Sequence, residues 1–322
     1  YPGNNLLIDL RLALMEPTDL RGFPYRDADS NQMEWAPPAD LPSAEQAAKH
    51  DHIFLFLDEL NSAPPSVQAA AYQLILNRQI GRYVLPDNVI IIAAGNRQND
   101  RGVTYKMPAP LANRFRHIAM EVNFDDWQQW AINHDVHPAV IGYLSAHKGD
   151  LFKFDPKSAS TAWASPRSWT YVSEIVNQSD FSSASEMEQR VEIAGAVGEG
   201  MSGQFLEHCR VASLMPTPEQ ILSGQVTKLD EKMRNEISAK YAMIVATTYE
   251  INQRYKDKVS QEDLNRMLNH GTRFMMENTD PEMVVIYLRT IMRDYSIPFN
   301  WRTAMDKDLL KILSEKYTKY MV

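Results

Sequence analysis

Residues 53–57 read Ile-Phe-Leu-Phe-Leu and are followed at once by Asp58 and Glu59. Five consecutive apolar residues fit a strand covered on both faces, as in a parallel sheet flanked by helices, better than the alternating pattern of a half-solvated sheet. Packing gives no reason for such a run to end in two acids. At the carboxyl edge of a parallel sheet, where α/β proteins bind ligands, a carboxylate pair holds a hydrated cation and orients water. Solvated acids capping an ordinary strand are the bland alternative, and this run alone leaves the two readings even.

Three further runs have strand length: Leu6 to Leu12, Val89 to Ala94 and, more weakly, His117 to Val122. Between the runs at 53 and 89, residues 64–80 open with proline and place Val67, Ala71, Leu74 and Ile75 at helical spacing. The pattern predicts an α/β fold whose mainly parallel sheet is built from residues 6–12, 53–57, 89–94 and 117–122. Residues 22–38 differ: two short aromatic-bearing arms flank the polar cluster Asp27 to Asn31, which predicts a β-hairpin inserted in the α/β unit. After Phe124 strand-like runs give way to helical periodicity, with helices expected at 125–133, 137–147, 167–178, 186–208, 230–256, 260–277, 280–294 and 303–320. Pro216 and Pro218 divide the earlier helices from the later ones, and Pro281 and Pro298 fall where helix starts or breaks belong. The expected organisation is an α/β core over 1–124, a helical part over 125–215 and a helical C-terminal region over 216–322.

A chain of 322 residues has room for about two cored domains. Its net charge of −8 is spread as −6 over residues 1–180 and −2 over 181–322, which excludes a chain built mainly to coat nucleic acid or anionic lipid. The single cysteine, Cys209, allows neither an intrachain disulfide nor a cysteine-rich zinc site and points to a reducing compartment. No apolar run reaches the roughly 20 residues that cross a bilayer. The opening YPGNNLLIDL lacks the basic-then-apolar order of a signal peptide. A cytoplasmic protein with no membrane partner is expected.

The apolar run at 89–94 ends in Gly95-Asn96-Arg97, so two strands present an acid pair and an amide at one sheet edge. Leu111-Ala-Asn-Arg114-Phe115 follows, and then Ser165-Pro166-Arg167-Ser168-Trp169 at the start of an expected helix. Each arginine alone reads as a surface side chain. In this order the four elements resemble the Walker B, sensor 1, arginine finger and sensor 2 of the AAA+ family of P-loop ATPases. The resemblance spans about residues 5–200 and is closest to the MoxR-like branch, including relatives encoded by bacteriophages. Glu16-Pro-Thr-Asp19-Leu-Arg21-Gly22-Phe-Pro24 resembles that branch's segment after the second strand, and the 22–38 hairpin would be its helix-2 insert.

The resemblance implies ATP and Mg²⁺ as cofactors. Asp58 would bind Mg²⁺ through water, and Glu59 would polarise the attacking water. Asn96 would position that water or sense the γ-phosphate, using an amide that both donates and accepts. Arg114 would place its permanently charged fork on the γ-phosphate held by a neighbouring subunit. Arg167, in a helical lid, would contact the phosphates of its own subunit. Arg97 and Arg116 lie beside these positions and share the candidacy. A hexameric ring that acts on a protein partner is the implied assembly.

One departure is serious. The family cradles phosphate on a Gly-rich loop ending in Lys and Ser/Thr, and no G-x-x-x-x-G-K-[ST] occurs in this sequence. Its place in the family is upstream of residues 6–12, and the strand that carries it lies between those corresponding to 89–94 and 117–122. Omitting that strand leaves unpaired backbone groups, so a shortened copy of a longer protein is expected, in keeping with the Tyr1 start. The chain as it stands is not expected to bind ATP normally. The main alternative is a non-enzymatic AAA+-like scaffold that contributes Arg114 to a neighbour. A nucleic-acid motor or loader is third, because both parts are acidic, although Trp301 beside Arg302 would suit a local contact.

Other signals carry less. Gly198-x-Gly200-x-x-Gly203 matches a dinucleotide-binding pattern but follows a helical stretch, so a turn or close helix packing is the better reading. His134 and His137, like His50 and His52, lack further metal ligands and read as structural or solvated. Met243, Tyr249, Met275 and Met276 read as helix core, Cys209 as an inert packing residue, and Asn177-Gln-Ser179 as a glycosylation pattern without consequence in the cytoplasm.

Overall fold

A computed structural model describes residues 2–29, 31–96, 105–155, 157, 160–298 and 305–317. Arg97, Trp301 and Arg302 lie outside the described residues. The chain divides into two units, Tyr1–Ala119 and Met120–Val322.

In the first unit the elements follow as β1 (Asn5–Arg11), α1 (Pro17–Arg21), β2 (Phe23–Arg26), β3 (Met33–Ala36), α2 (Ala44–Lys49), β4 (His52–Asp58), α3 (Pro65–Asn77), β5 (Gln79–Ile80), β6 (Tyr83–Val84), β7 (Val89–Ala93) and α4 (Ala109–Ala112). Strands β1, β4 and β7 form a parallel sheet in that order. The register runs from Asn5↔His52 to Arg11↔Asp58 on one side of β4 and from Ile53↔Val89 to Leu57↔Ala93 on the other. Ile53, Leu55 and Leu57 are fully buried in one cluster with Val67, Ala71 and Leu74 of α3. The predicted inserted hairpin is present as β2–β3. A second hairpin, β5–β6, was not predicted; α3 stops at Arg78, which takes the left-handed conformation with φ 53° and turns the chain into it.

Two expectations are corrected. Residues 117–122 are not a strand: they carry no ladder, and among the described residues β7 is the last strand of the sheet. A strand exists only by pairing, and no described residue supplies a strand between β7 and this segment. Ile118 and Met120 of this segment are exposed. The second correction concerns cover. One face of the sheet is packed as a core, but on the other Phe54 and Phe56 are only half-buried, and Leu7 and Ile92 are exposed.

The second unit is helical, and among its described residues only an isolated bridge between Lys153 and Ala164 pairs extended backbone. Its helices are α5 (Phe124–Asn133), α6 (Pro138–Ala146), α7 (Pro166–Val176), α8 (Glu186–Val197), α9 (Glu199–Ala212), α10 (Pro218–Leu222), α11 (Ile237–Lys256), α12 (Gln261–Asn278), α13 (Pro281–Arg289), which continues as a π-helical turn over Thr290–Asp294, and α14 (Lys307–Lys316). The single helix expected over 186–208 is two, broken at Gly198, whose φ of 88° is one that L side chains rarely adopt. No described helix is long and apolar enough to cross a membrane.

Two hydrophobic clusters fill this unit. One gathers Trp127, Tyr143, Trp169 and Phe205, and the other gathers the apolar faces of α10 to α14. Helix α11 serves both, placing Val245 in the first and Met243, Ile244 and Ile251 in the second. It lies directly against α6, because a Cβ on Gly142 would sit 2.5 Å from the Ala242 Cα.

A polar group is sealed into the first cluster. His208 on α9 is buried, its ring stacks beside Phe205 and edge-on to Tyr143, and its Nδ1 bonds the Ser238 hydroxyl of α11. Burial above all, with the nearby His147 assisting and the Ala139 carbonyl opposing, pulls its pKa down from 6.5 to about 4. The folded pKa is below the unfolded one, so the unfolded state takes the proton first as pH falls. This stabilisation is complete above about pH 6.5 and drains away towards pH 4, a loss on the order of 3 kcal/mol. Replacing His208 by Gln should flatten the dependence of urea midpoint on pH between 6.5 and 4, and an unchanged slope would assign it to other groups.

Candidate functional site

Parallel register puts the carboxyl ends of β1, β4 and β7 on one edge, so Arg11, Asp58 and the Ala93–Ala94 backbone are neighbours there. Asp58 Oδ1 accepts from the Glu59 N–H at 2.9 Å, and Oδ2 stands 3.8 Å from Arg11 Nε with about a third of the side chain exposed. A long, partly solvated pair of this kind contributes little to stability. It does hold the carboxylate in place while leaving it open on one side.

Glu59 is where the chain leaves the sheet. Its φ is 55°, a left-handed backbone that costs a non-glycine residue about 1–2 kcal/mol. Backbone bonds on both sides hold it: Leu60 N–H donates to the Ala94 carbonyl at 2.9 Å, and the Glu59 carbonyl accepts from Ser62 and Ala63. The half-buried Glu59 carboxylate has no hydrogen bond or ion pair among the described residues.

Asn96 follows β7 on the same edge and is exposed. Its N–H donates to Asn61 Oδ1 at 3.0 Å, its carbonyl accepts from Asn61 Nδ2 at 2.6 Å, and its own Nδ2 reaches Ser62 Oγ at 3.5 Å. Asn61 therefore clamps the loop that carries Asn96. Gly95 makes the clamp possible, since a Cβ there would lie 2.5 Å from Asn61 Oδ1. Sequence reasoning passed over Asn61, although an amide three residues past Asp58 and a glycine before Asn96 were the available signals.

Beside this edge is a cavity of about 230 Å³ walled by Asn61, Asn96, Met107, Phe115, Arg116 and Ile118, among others. Arg116, rather than Arg114, lines it. Arg114 sits on the turn after α4, exposed, with its N–H donating to the Leu111 carbonyl and its guanidinium unpaired among the described residues. Asp58, Glu59 and Asn96 are thus brought together, and Arg114 stands on a separate turn of the same unit.

Arg167 belongs to the second unit. Ser165 and Ser168 cap α7 reciprocally, with Ser165 Oγ accepting from the Ser168 N–H and Ser168 Oγ accepting from the Ser165 N–H, and Pro166 takes the first helical position. Trp169 is fully buried and donates its indole N–H to the Asp150 carbonyl at 2.8 Å. With that face anchored, Arg167 is exposed and lines an open cavity of about 510 Å³ with Trp163 and Tyr171.

The remaining signals have structural explanations. His137 caps α6, accepting from the Ala139 N–H, and burial lowers its pKa. His134 stacks on Trp130 and bonds its carbonyl. Among the described residues no group of three or more His, Cys, Asp or Glu side chains is placed to hold a metal. Burial pushes the Cys209 thiol up to about 12, away from reactivity.

No family model matches the chain, and no curated protein matches it. Among solved structures it is similar to a protein from Cytophaga hutchinsonii described as a "putative ATPase", at 13% identity over 98% of this chain and 77% of that one, with a TM-score of 0.24. A likeness at that TM-score carries no argument, so the functional reading rests on the chain's own residues.

Replacing Asn61 by Ala should remove both bonds to the Asn96 backbone, lower stability by roughly 1–2 kcal/mol in urea and speed amide exchange at Asn96. Unchanged protection there would show that the loop is held by other contacts.

Proposed function

We propose that this chain carries the hydrolytic edge of an AAA+ ATPase of the MoxR-like kind, which works as a ring, hexameric by analogy, on a protein partner. The observation that supports this is the placement of Asp58, Glu59 and Asn96 at one carboxyl edge on hydrogen-bonded parallel strands, with the Glu59 carboxylate unpaired. In this reading Glu59 orients and polarises the attacking water and Asn96 positions it from the adjacent strand. Mg²⁺ takes one or two carboxylates and fills its remaining positions with water and phosphate. The restrained, half-open Asp58 fits that requirement without a three-ligand cluster. Held there, the ion would supply charge neutralisation at the phosphates. Arg114, exposed on its own turn, acts on the nucleotide of a neighbouring subunit, and Arg167 acts from the lid.

The alternative reading is a scaffold subunit that donates Arg114 to a neighbour without turning over nucleotide, and the exposed position of Arg114 suits it equally. The two readings separate in a form that carries a phosphate loop. There, Glu59→Gln should lower turnover by about 10² to 10⁴-fold while nucleotide still binds, and unchanged turnover would remove Glu59 from the mechanism.

Arg114→Ala should lower turnover by about 10³-fold or more without weakening binding in the same subunit. Mixing the two variants should restore part of the activity, because some interfaces then pair an intact Glu59 with a neighbour's intact Arg114. Mixtures no more active than either parent, together with a monomeric mass at all concentrations, would place Arg114 outside the mechanism proposed.

A further inference from the structure

The second unit contains a cleft that the ATPase reading does not use. It lies between α12 and the turn after α10, has a volume of about 430 Å³, and falls within the usual range for small-molecule sites. Its apolar wall is Ile221, Val226 and Phe274, and its polar side is His270, Arg273 and Glu277 at successive turns of α12.

Beside Thr227, the polar groups of this cleft are His270, Arg273 and Glu277. His270 Nδ1 lies 3.0 Å from the Leu222 carbonyl. A carbonyl only accepts, so Nδ1 donates here, and Nε2 is the ring nitrogen left without a described partner. The ring packs against Gly224, where a Cβ would come to 3.0 Å from its Cε1 and Nδ1 and where φ is 75°. Arg273 is already matched by two carboxylates, Asp308 at 2.9 Å and Asp306 at 3.1 Å. Glu277 is exposed and has no hydrogen bond or ion pair among the described residues. Of the two formally charged side chains that line the cleft, Arg273 is therefore compensated and Glu277 is left without a partner among the described residues.

We propose that this cleft binds a small organic cation: a protonated amine or guanidine whose charged head pairs with Glu277 while its apolar stem lies on Ile221, Val226 and Phe274. The site is independent of the nucleotide reading and stands whether or not that reading holds.

The test uses the full chain and n-hexylammonium as the probe, followed by calorimetry and by amide shifts of residues 221–227 and 270–277. A ligand of this size should bind with a Kd of about 1 mM. Hexanol should bind at least ten-fold more weakly and hexanoate more weakly still. Glu277→Gln, a change at an exposed side chain, should weaken the cation at least ten-fold. Glu262→Gln, at an exposed carboxylate at the start of the same helix, should leave it unchanged and so separates this site from general attraction to an acidic protein. Equal binding of hexanol and hexylammonium, no shift in these segments at 10 mM probe, or equal losses in the two Glu variants would overturn the proposal.

Discussion

The ladder between β4 and β7 is the constraint on which the first unit depends. It fixes Leu57 opposite Ala93, and parallel strands carry their carboxyl ends to the same side. Residues 37 positions apart in sequence, Glu59 and Asn96, therefore leave the sheet together. Apolar side chains supply the driving force: Ile53, Leu55 and Leu57 are fully buried against α3, and burial of side chains this size is worth about 1.5–3 kcal/mol each. A register slip by one residue would turn those three to the less covered face and put Phe54 and Phe56 in their place.

That less covered face and the β7 edge are two aspects of one feature. Leu7, Phe54, Phe56, Ile90 and Ile92 share a face by register, and among the described residues no strand follows β7 in the sheet. An open edge of Val and Ile is the kind of surface that proteins normally blunt with charge, proline or a covering element. Here the strand is short, five residues, which limits but does not remove the exposed ladder.

The sequence made the sheet legible because its strands are apolar runs bounded by polar residues, a pattern that needs no partner to be recognised. It made 117–122 look like a strand for the same reason and misled there, since strand formation also requires a neighbour and periodicity does not report one. The helices of the second unit were legible from spacing, but the break at Gly198 was not, because a glycine inside a helical pattern is usually tolerated. Of the candidate site, Asp58, Glu59 and Asn96 were visible as polar ends of apolar runs. Asn61 was harder to find, because its side chain bonds the backbone N–H and carbonyl of Asn96, which a side-chain pattern does not announce. The α12 cleft was hidden too, since His270, Arg273 and Glu277 read as the polar face of an ordinary amphipathic helix.

The left-handed backbone at Glu59 links these pieces. It costs about 1–2 kcal/mol, and the bonds that offset it run from Leu60 to Ala94 and from Asn61 to Asn96. Each of these bonds ends on the loop leaving β7. The conformation that presents the Glu59 carboxylate is therefore held in two ways, by local bonds from Ser62 and Ala63 to the Glu59 carbonyl and by contacts shared with the segment that carries Asn96. The shared contacts tie the position of the acid to that of the amide across the β4–β7 ladder, while the local bonds keep the turn itself closed.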